Sequence, residues 1–179
     1  MLSKLYPYEY VDSVFSIDFD ELYKNGYRGL IFDIDNTLVH HGEDSTKEVD
    51  ELFKEIQKLG FKTLLLSNNG EDRIKKFLKN INSLYISNAQ KPKRYNYLKA
   101  IDMLNLNKSE VVFIGDQIFT DILGANRCGI PNILVKFMHK ENEKYFGKRR
   151  QIEKFILKFY VKNKKVQNRI GNIEKKGKK

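Results

Sequence analysis

The sequence predicts an α/β fold, a three-layer α/β/α sandwich around a mainly parallel sheet of five strands. Short apolar runs alternate with amphipathic segments between residues 29 and 135, and capping or stop residues bound most of the amphipathic segments. Strands that alternate with helices in this way imply a Rossmann-like order, in which crossover helices join parallel strands. The 179 residues are enough for one domain with one sizeable core.

The predicted helices are defined by boundary signals and by apolar residues at helical spacing. A glycine closes each of the first two helices, and each opens with a capping box: Asp18 with Glu21, and Ser45 with Glu48. The predicted helices cover residues 18–26, 45–60, a segment around 74–78, a segment through 97–104, and 120–127.

The strands are predicted from short apolar runs, and a polar cluster follows four of them. The predicted strands cover residues 29–32, 63–66, 84–86, 111–114 and 133–135. Parallel strands end at one edge of the sheet, where such sheets bind ligands. We therefore expect the following residues at that edge: Asp33, Asp35, Thr37, Ser67, Asn68, Lys91, Asp116 and Asp121. Only about 20 residues separate the first cluster from the second strand, so no large cap domain is predicted.

Asp33 directly follows the first buried strand and suggests a site for phosphate transfer. At about 4 Å and an effective dielectric near 20, two unit like charges repel by about 4 kcal/mol, and a dianionic phosphate about doubles this. Mg²⁺ shared by Asp33 and Asp116 would cancel most of the repulsion, and Lys91 would add a positive charge from the other side. Four residues would hold the remaining phosphate oxygens through hydroxyl or main-chain N–H groups: Asn36, Thr37, Ser67 and Asn68.

Asp35 has a separate predicted role. It would protonate the leaving alcohol while an aspartyl-phosphate forms on Asp33, and would then take a proton from the water that hydrolyses this intermediate. Two acids at this spacing can serve these two roles because their surroundings differ.

Four ordered motifs resemble those of the haloacid dehalogenase superfamily of phosphatases. They are Asp33-Ile34-Asp35-Asn36-Thr37-Leu38, Ser67-Asn68-Asn69, Lys91-Pro92, and Gly115-Asp116-Gln117-Ile118-Phe119-Thr120-Asp121. Together with residues 124–129, they are similar to the subclass IIIA, YqeG-type group and, through it, to mitochondrial phosphatidylglycerophosphate phosphatases.

The resemblance implies a role for each matching residue. Asp33, Asp116 and the main-chain carbonyl of Asp35 would ligate the metal, and Asp121 would orient Lys91 or a metal-bound water from outside. Asp35 favours phosphoester hydrolysis, because dehalogenases of this superfamily lack that second acid.

The net charge of +10 is concentrated at the carboxyl end. Residues 148–179 contain 13 Lys or Arg and two acids, whereas the rest of the chain has 20 basic and 21 acidic residues. We therefore predict a phosphatase domain over residues 1–147 and a tail over 148–179. The tail would begin with a basic amphipathic helix and continue after Lys164 as a disordered segment. The helix could lie on an anionic membrane or pack on the domain, and nucleic acid is a less favoured partner.

The sequence also predicts where the protein functions. Cys128 is the single cysteine, so an internal disulfide is excluded, as is common in a reducing compartment. No segment approaches the roughly 18 uncharged residues of a membrane span. A cytoplasmic location, with peripheral contact at the inner face of the membrane, is the resulting prediction.

Three functions remain open from the sequence. The first is a Mg²⁺-dependent phosphomonoesterase, with phosphatidylglycerophosphate as the substrate suggested by the resemblance and the tail. The second is a phosphatase for soluble sugar, nucleotide or nucleic-acid-end phosphates. The third is a non-catalytic module that binds RNA or a membrane on a phosphatase scaffold, although such a module would not need Asp33, Asp35, Lys91 and Asp116 together.

Overall fold

A computed structural model describes residues 2–138 and 147–175 of the chain. The end of the predicted domain, residues 139–146, and the last four residues of the tail, 176–179, lie outside the described residues. The described part contains a parallel sheet of six strands in the order β1-β6-β5-β2-β3-β4. The strands are β1 (Glu9–Val11), β2 (Gly29–Phe32), β3 (Lys62–Leu66), β4 (Leu84–Ile86), β5 (Val111–Gly115) and β6 (Asn132–Val135).

Six α-helices accompany the sheet within residues 2–138 and 147–175, and their boundaries follow local capping. They are α1 (Phe19–Lys24), α2 (Lys47–Lys58), α3 (Glu71–Phe77), α4 (Arg94–Leu104), α5 (Leu123–Cys128) and α6 (Lys148–Lys162). Asp18 caps α1 as predicted, because its carboxylate accepts a hydrogen bond from the Glu21 N–H at 2.9 Å. The predicted Ser45 cap of α2 is wrong by one residue, since the hydroxyl of Thr46 accepts the bond from Val49 N–H at 3.3 Å.

The prediction of five strands is wrong, because β1 is a sixth. This strand has three residues and pairs with β6 at one edge of the sheet, so it lacks the continuous apolar run of a central strand. Its Glu9 is 5% exposed, and its carboxylate accepts a hydrogen bond from the main-chain N–H of Ile170 at 2.8 Å. The hydrogen bond to the buried Glu9 carboxylate therefore comes from a segment far along the chain. The charged Glu9 is also the reason that this strand is hard to recognise in the sequence.

The two faces of the sheet are covered by different helices. Leu30 and Phe32 of β2 face a core that includes residues of α1, α2 and α3, and Ile31 faces the opposite core with residues of α4 and α5. This arrangement confirms the three-layer sandwich. Residues 33–61, all of which the structure describes, form a loop and α2, so no cap domain is inserted there.

The carboxyl-terminal segment packs on the domain. Ile156 of α6 is buried in a cluster with residues of β6 and the turn before α5, and the Tyr160 ring packs against that of Tyr6 at a tilt of 51°, with ring centroids 5.9 Å apart. Ile170 and Ile173 are buried in the main core. Disorder was expected after Lys164, but residues 165–175 bury two apolar side chains, Ile170 and Ile173, that the high density of lysine obscures in the sequence. No helix in the described residues is long and apolar enough to cross a membrane.

Candidate active site

The site lies beside β2, where the order in which the chain adds strands to the sheet reverses. The chain proceeds from β2 to β3 and β4 on one side, whereas β5 and β6 lie on the other side of β2. Such a switch point leaves a crevice beyond the carboxyl ends of the strands. Asp33 follows β2, Ser67 follows β3 and Asp116 follows β5, so the sheet brings these three predicted residues to the same crevice.

Three carboxylates converge in this crevice. Asp33, Asp116 and Asp121 are buried, and each offers an oxygen that lies within 4.8 Å of the other two. Three buried acids this close repel one another unless positive charge is present. Carboxylate oxygens are the ligands that hard divalent cations prefer, so the cluster fits a metal such as Mg²⁺.

Lys91 supplies positive charge to two of these acids. Its Nζ lies 2.5 Å from Asp33 Oδ1 and 2.8 Å from Asp121 Oδ1, and its side chain is 3% exposed. Burial lowers the pKa of Lys91, but the carboxylates of Asp121 and Asp33 outweigh it and raise the pKa above its ordinary value. Lys91 is therefore a fixed cation at the floor of the site.

Nearby positive charge offsets the cost of burying the carboxylates of Asp33 and Asp116 only in part. Burial raises the pKa of Asp33 to about 6, even though Lys91 opposes the shift. Burial and the charges of Asp33 and Asp121 raise the pKa of Asp116 well above its ordinary range, against the nearby Arg150. In the absence of a bound cation, the cluster therefore favours at least one proton over full ionisation.

Asn36 and Thr37 form the turn after β2. Asn36 has a φ of 61°, and its side-chain oxygen accepts a hydrogen bond from the His41 N–H at 3.2 Å. The hydroxyl of Thr37 is fully buried and lies 3.4 Å from both Asp33 Oδ2 and Asp116 Oδ1. Thr37 thus sits between the two predicted metal ligands.

Ser67 and Asn68 fix the loop after β3. The Ser67 hydroxyl accepts a hydrogen bond from the Asn69 N–H at 3.2 Å, and Asn68 Oδ1 accepts one from the Lys91 N–H at 2.8 Å. A cavity of about 170 Å³ opens here. It is lined by Asp33, Asp35, Asn36, His41, Ser67, Asn68, Asn69, Lys91, Gln117 and Thr120.

Asp35 lines the same cavity as Asp33, and its carboxylate lies in a network of hydrogen-bond donors. Asn69 Nδ2 donates to Asp35 Oδ2 at 2.6 Å, and the Gly42 N–H and Arg73 Nη2 donate to Oδ1 at 3.0 and 3.2 Å. His41 Nδ1 lies 3.4 Å from Oδ2. Burial alone would raise the pKa of Asp35, but these hydrogen bonds and the nearby positive charge lower it overall.

Several residues of the site escaped prediction from the sequence. They are His41, Asn69 and Arg73 around Asp35, and Arg150 and Glu153 beside Asp116. Asn69 belongs to the second motif and could have been assigned from it. His41 is adjacent to His40 without a third ligand at a workable spacing, a pattern more typical of a loop than of a metal site. Arg150 and Glu153 lie in the predicted basic helix of the tail, for which the sequence leaves a membrane surface or the face of the domain open and gives no sign of the active site.

Gly115 leaves room for Asp121. A single π-helical turn, residues 118–122, returns Asp121 towards the end of β5, where its Oδ2 accepts a hydrogen bond from the Gln117 N–H at 3.0 Å. A Cβ on Gly115 would lie 2.6 Å from the Asp121 carboxylate. A side chain at residue 115 would therefore displace Asp121 from Lys91.

We expect Gly115→Ala to destabilise the fold by roughly 1–3 kcal/mol and to lower activity, because it overpacks the site. Urea unfolding and turnover of an aryl phosphate would measure these effects. Gly70→Ala is the matched control, since a Cβ there meets nothing within 4 Å. Equal stability of the two variants would contradict the steric role of Gly115.

Comparison with known proteins identifies the family. A family model described as haloacid dehalogenase-like hydrolase matches residues 42–129. The chain is 36% identical over 159 residues to the probable phosphatase YqeG of Bacillus subtilis. The aligned residues cover 88% of this chain and 92% of that protein. The chain is a haloacid dehalogenase-like phosphatase of the YqeG type.

Solved structures agree with the fold of this phosphatase. An uncharacterized protein from Listeria monocytogenes superposes with a TM-score of 0.53 at 20% identity, over 76% of this chain and 99% of that one. A hypothetical protein from Xanthomonas campestris gives 0.51 at 17% identity, over 83% and 90% of the two chains. These likenesses support the α/β fold. The activity of the phosphatase follows from its family, and its substrate class is a phosphate monoester.

Proposed function

We propose that this phosphatase is Mg²⁺-dependent, uses Asp33 as the nucleophile, and acts on phosphatidylglycerophosphate. The observation that supports the proposal most is the buried cluster of Asp33, Asp116 and Asp121 with Lys91 in contact with two of its members. A purely structural cluster of three buried acids would be costly to keep.

Asp33 and Asp116, with the main-chain carbonyl of Asp35, would hold the cation. When bound, Mg²⁺ would offset the repulsion between the Asp33 carboxylate and the phosphate dianion. Lys91 would stabilise the phosphate oxygens from the opposite side, and its charge favours the ionised form of Asp33. Main-chain N–H groups near Asn36 and Asn68, with the hydroxyls of Ser67 and Thr37, would contact the remaining oxygens.

Transfer proceeds in two steps with Asp35 as proton carrier. An Asp33 carboxylate oxygen attacks phosphorus, the bond from phosphorus to the ester oxygen breaks, and Asp35 gives that oxygen a proton. Asp35 then takes a proton from the water that attacks the aspartyl-phosphate. Its lowered pKa suits the second step. The negative charge of an arriving phosphate favours the proton needed for the first step.

The size of the cavity supports a substrate whose body stays outside the site. A volume of about 170 Å³ suits a phosphate group and the atoms next to it. Beside the site, α6 exposes an apolar row, with Ile152, Phe155 and Phe159 at 51%, 59% and 51% exposure. A second row of exposed residues runs beside it and consists of Lys154, Lys158 and Lys162. Such a helix suits the surface of an anionic membrane, where each nearby lysine contributes about 1 kcal/mol.

We expect the double change Phe155→Ser with Phe159→Ser to reduce hydrolysis of phosphatidylglycerophosphate in anionic vesicles by at least about 10-fold, because the vesicle loses an apolar contact. Hydrolysis of a soluble aryl phosphate with Mg²⁺ should stay unchanged. The control is Tyr95→Ser with Leu98→Ser, two exposed apolar residues of α4.

Hydrolysis rates on the lipid and on soluble esters distinguish the three candidate functions. Preference for soluble sugar, nucleotide or nucleic-acid-end phosphates over the lipid would contradict the proposed substrate and favour the soluble alternative. Absence of turnover on every ester in the presence of Mg²⁺ would contradict the proposed chemistry and favour a binding module.

A further inference from the structure

Arg150, in the first turn of α6, reaches the predicted metal ligand Asp116. Its Nη2 hydrogen-bonds Asp116 Oδ2, and its Nη1 donates to the main-chain oxygen of Asp116 at 2.8 Å. The Asp116 side chain is fully buried and that of Arg150 is 17% exposed. One guanidinium therefore holds both the side chain and the main chain of Asp116.

The contact leaves the other carboxylate oxygen available to the cluster. Asp116 Oδ1 lies 3.4 Å from the Thr37 hydroxyl, which lies 3.4 Å from Asp33 Oδ2. The oxygen bound by Arg150 and the oxygen beside the Thr37 hydroxyl are thus different atoms. A cation shared by Asp33 and Asp116 would not need to displace the guanidinium.

Glu153 holds Arg150 in place and balances its charge. Glu153 Oε2 accepts a hydrogen bond from Arg150 Nη1 at 3.0 Å, and Oε1 accepts one from the Phe119 N–H at 3.2 Å. The Arg150 guanidinium also lies over the Phe137 ring, 4.3 Å from its centroid. Because Arg150 and Glu153 carry opposite charges, the pair orients Asp116 with little net repulsion of a nearby cation.

We infer that Arg150 is a positioning residue for the metal site: it binds Oδ2 of Asp116 and so leaves Oδ1, beside the Thr37 hydroxyl, available for a cation shared with Asp33, and it makes α6 a part of the active centre. This inference rests on the proposed metal-dependent function. It also means that deletion of residues 148–179 would disturb the site directly. Such a deletion would remove buried Ile156, Ile170 and Ile173 as well, so point variants are needed.

The test measures cation binding without substrate, on the full chain. Mg²⁺ binding is measured by calorimetry and Mn²⁺ binding by electron paramagnetic resonance. Loss of an orienting partner of a metal ligand typically weakens metal affinity by about 10- to 100-fold. We expect this loss for Arg150→Met and a smaller one for Arg150→Lys, which keeps the charge but not the paired N–H groups. Arg149→Met, a neighbouring exposed arginine, should bind the metal as the unaltered protein does.

The possible results are distinct. Unchanged or tighter cation binding by Arg150→Met would overturn the inference, and tighter binding would identify Arg150 as a competitor of the cation. Failure of the unaltered protein to bind either ion would overturn the proposed function itself. If Arg150→Met does not fold, Arg150→Lys and Glu153→Gln decide the matter, because both should weaken binding more than Arg149→Met does.

Discussion

Asp33→Asn is expected to abolish turnover and, at neutral pH, to stabilise the metal-free protein. An amide is a poor nucleophile and cannot form the acyl phosphate, so activity should fall by roughly 10⁴-fold or more. Stability should rise because the fold places the Asp33 carboxylate among two other acids, and the amide has no charge to bury.

The effect on stability depends on pH with a definite sign. The pKa of Asp33 rises from 3.8 to about 6 in the folded protein, so the folded state prefers the protonated acid. The corresponding stability is present below pH 3.8 and is lost as the pH rises through about 6. Above that pH the Asn variant should be more stable than the unaltered protein by about 3 kcal/mol.

Chemical unfolding at pH 5 and pH 8, without metal, measures this difference. The advantage of the variant should be larger at pH 8. Asp50→Asn is the control, because Asp50 is a buried acid of α2 away from the site, hydrogen-bonded by Ser45 and Asn80. An Asp33→Asn protein with ordinary turnover would contradict the assignment of the nucleophile.

Lys91→Met is expected to be the most destabilising change in the site. Removal of the Lys91 charge leaves the carboxylates of Asp33 and Asp121 without the cation that contacts both. Breaking a buried charge pair from one side typically costs about 3–5 kcal/mol. Activity should fall by at least about 100-fold, since a positive charge on the phosphate oxygens is lost.

Urea unfolding without metal measures the cost, with Lys93→Met as the control because Lys93 is exposed two residues further on. Adding Asp33→Asn to Lys91→Met should restore part of the lost stability, since one uncompensated carboxylate is then removed. A Lys91→Met protein as stable as the control would show that the contacts of Lys91 contribute little.

The sequence predicts this fold well where each element has its own periodicity. Strand β2 has the bounds that its apolar run predicts, and β3, β5 and β6 each differ by one residue at one end. Strand β1 was missed because its pairing with β6 and the hydrogen bond from Ile170 to Glu9 are long-range contacts. Local patterns contain no information about such partners.

The same limit applies to the site. Asp33, Lys91, Asp116 and Asp121 come together because parallel strands end at one edge, which a sequence pattern can predict. Arg150 could not be found in this way, since 34 residues separate it from Asp116 and the packing of α6 alone brings it there. A basic tail and a partly buried arginine of an active site look alike in composition.

The most direct test of the proposed mechanism is to trap the covalent intermediate. The protein is mixed with Mg²⁺ and an aryl phosphate, treated with borohydride, which reduces an acyl phosphate to an alcohol, and digested for mass spectrometry. The mechanism predicts homoserine at position 33, with no such change when Mg²⁺ is omitted. Turnover accompanied by an unmodified Asp33, or by reduction of a different carboxylate, would contradict it.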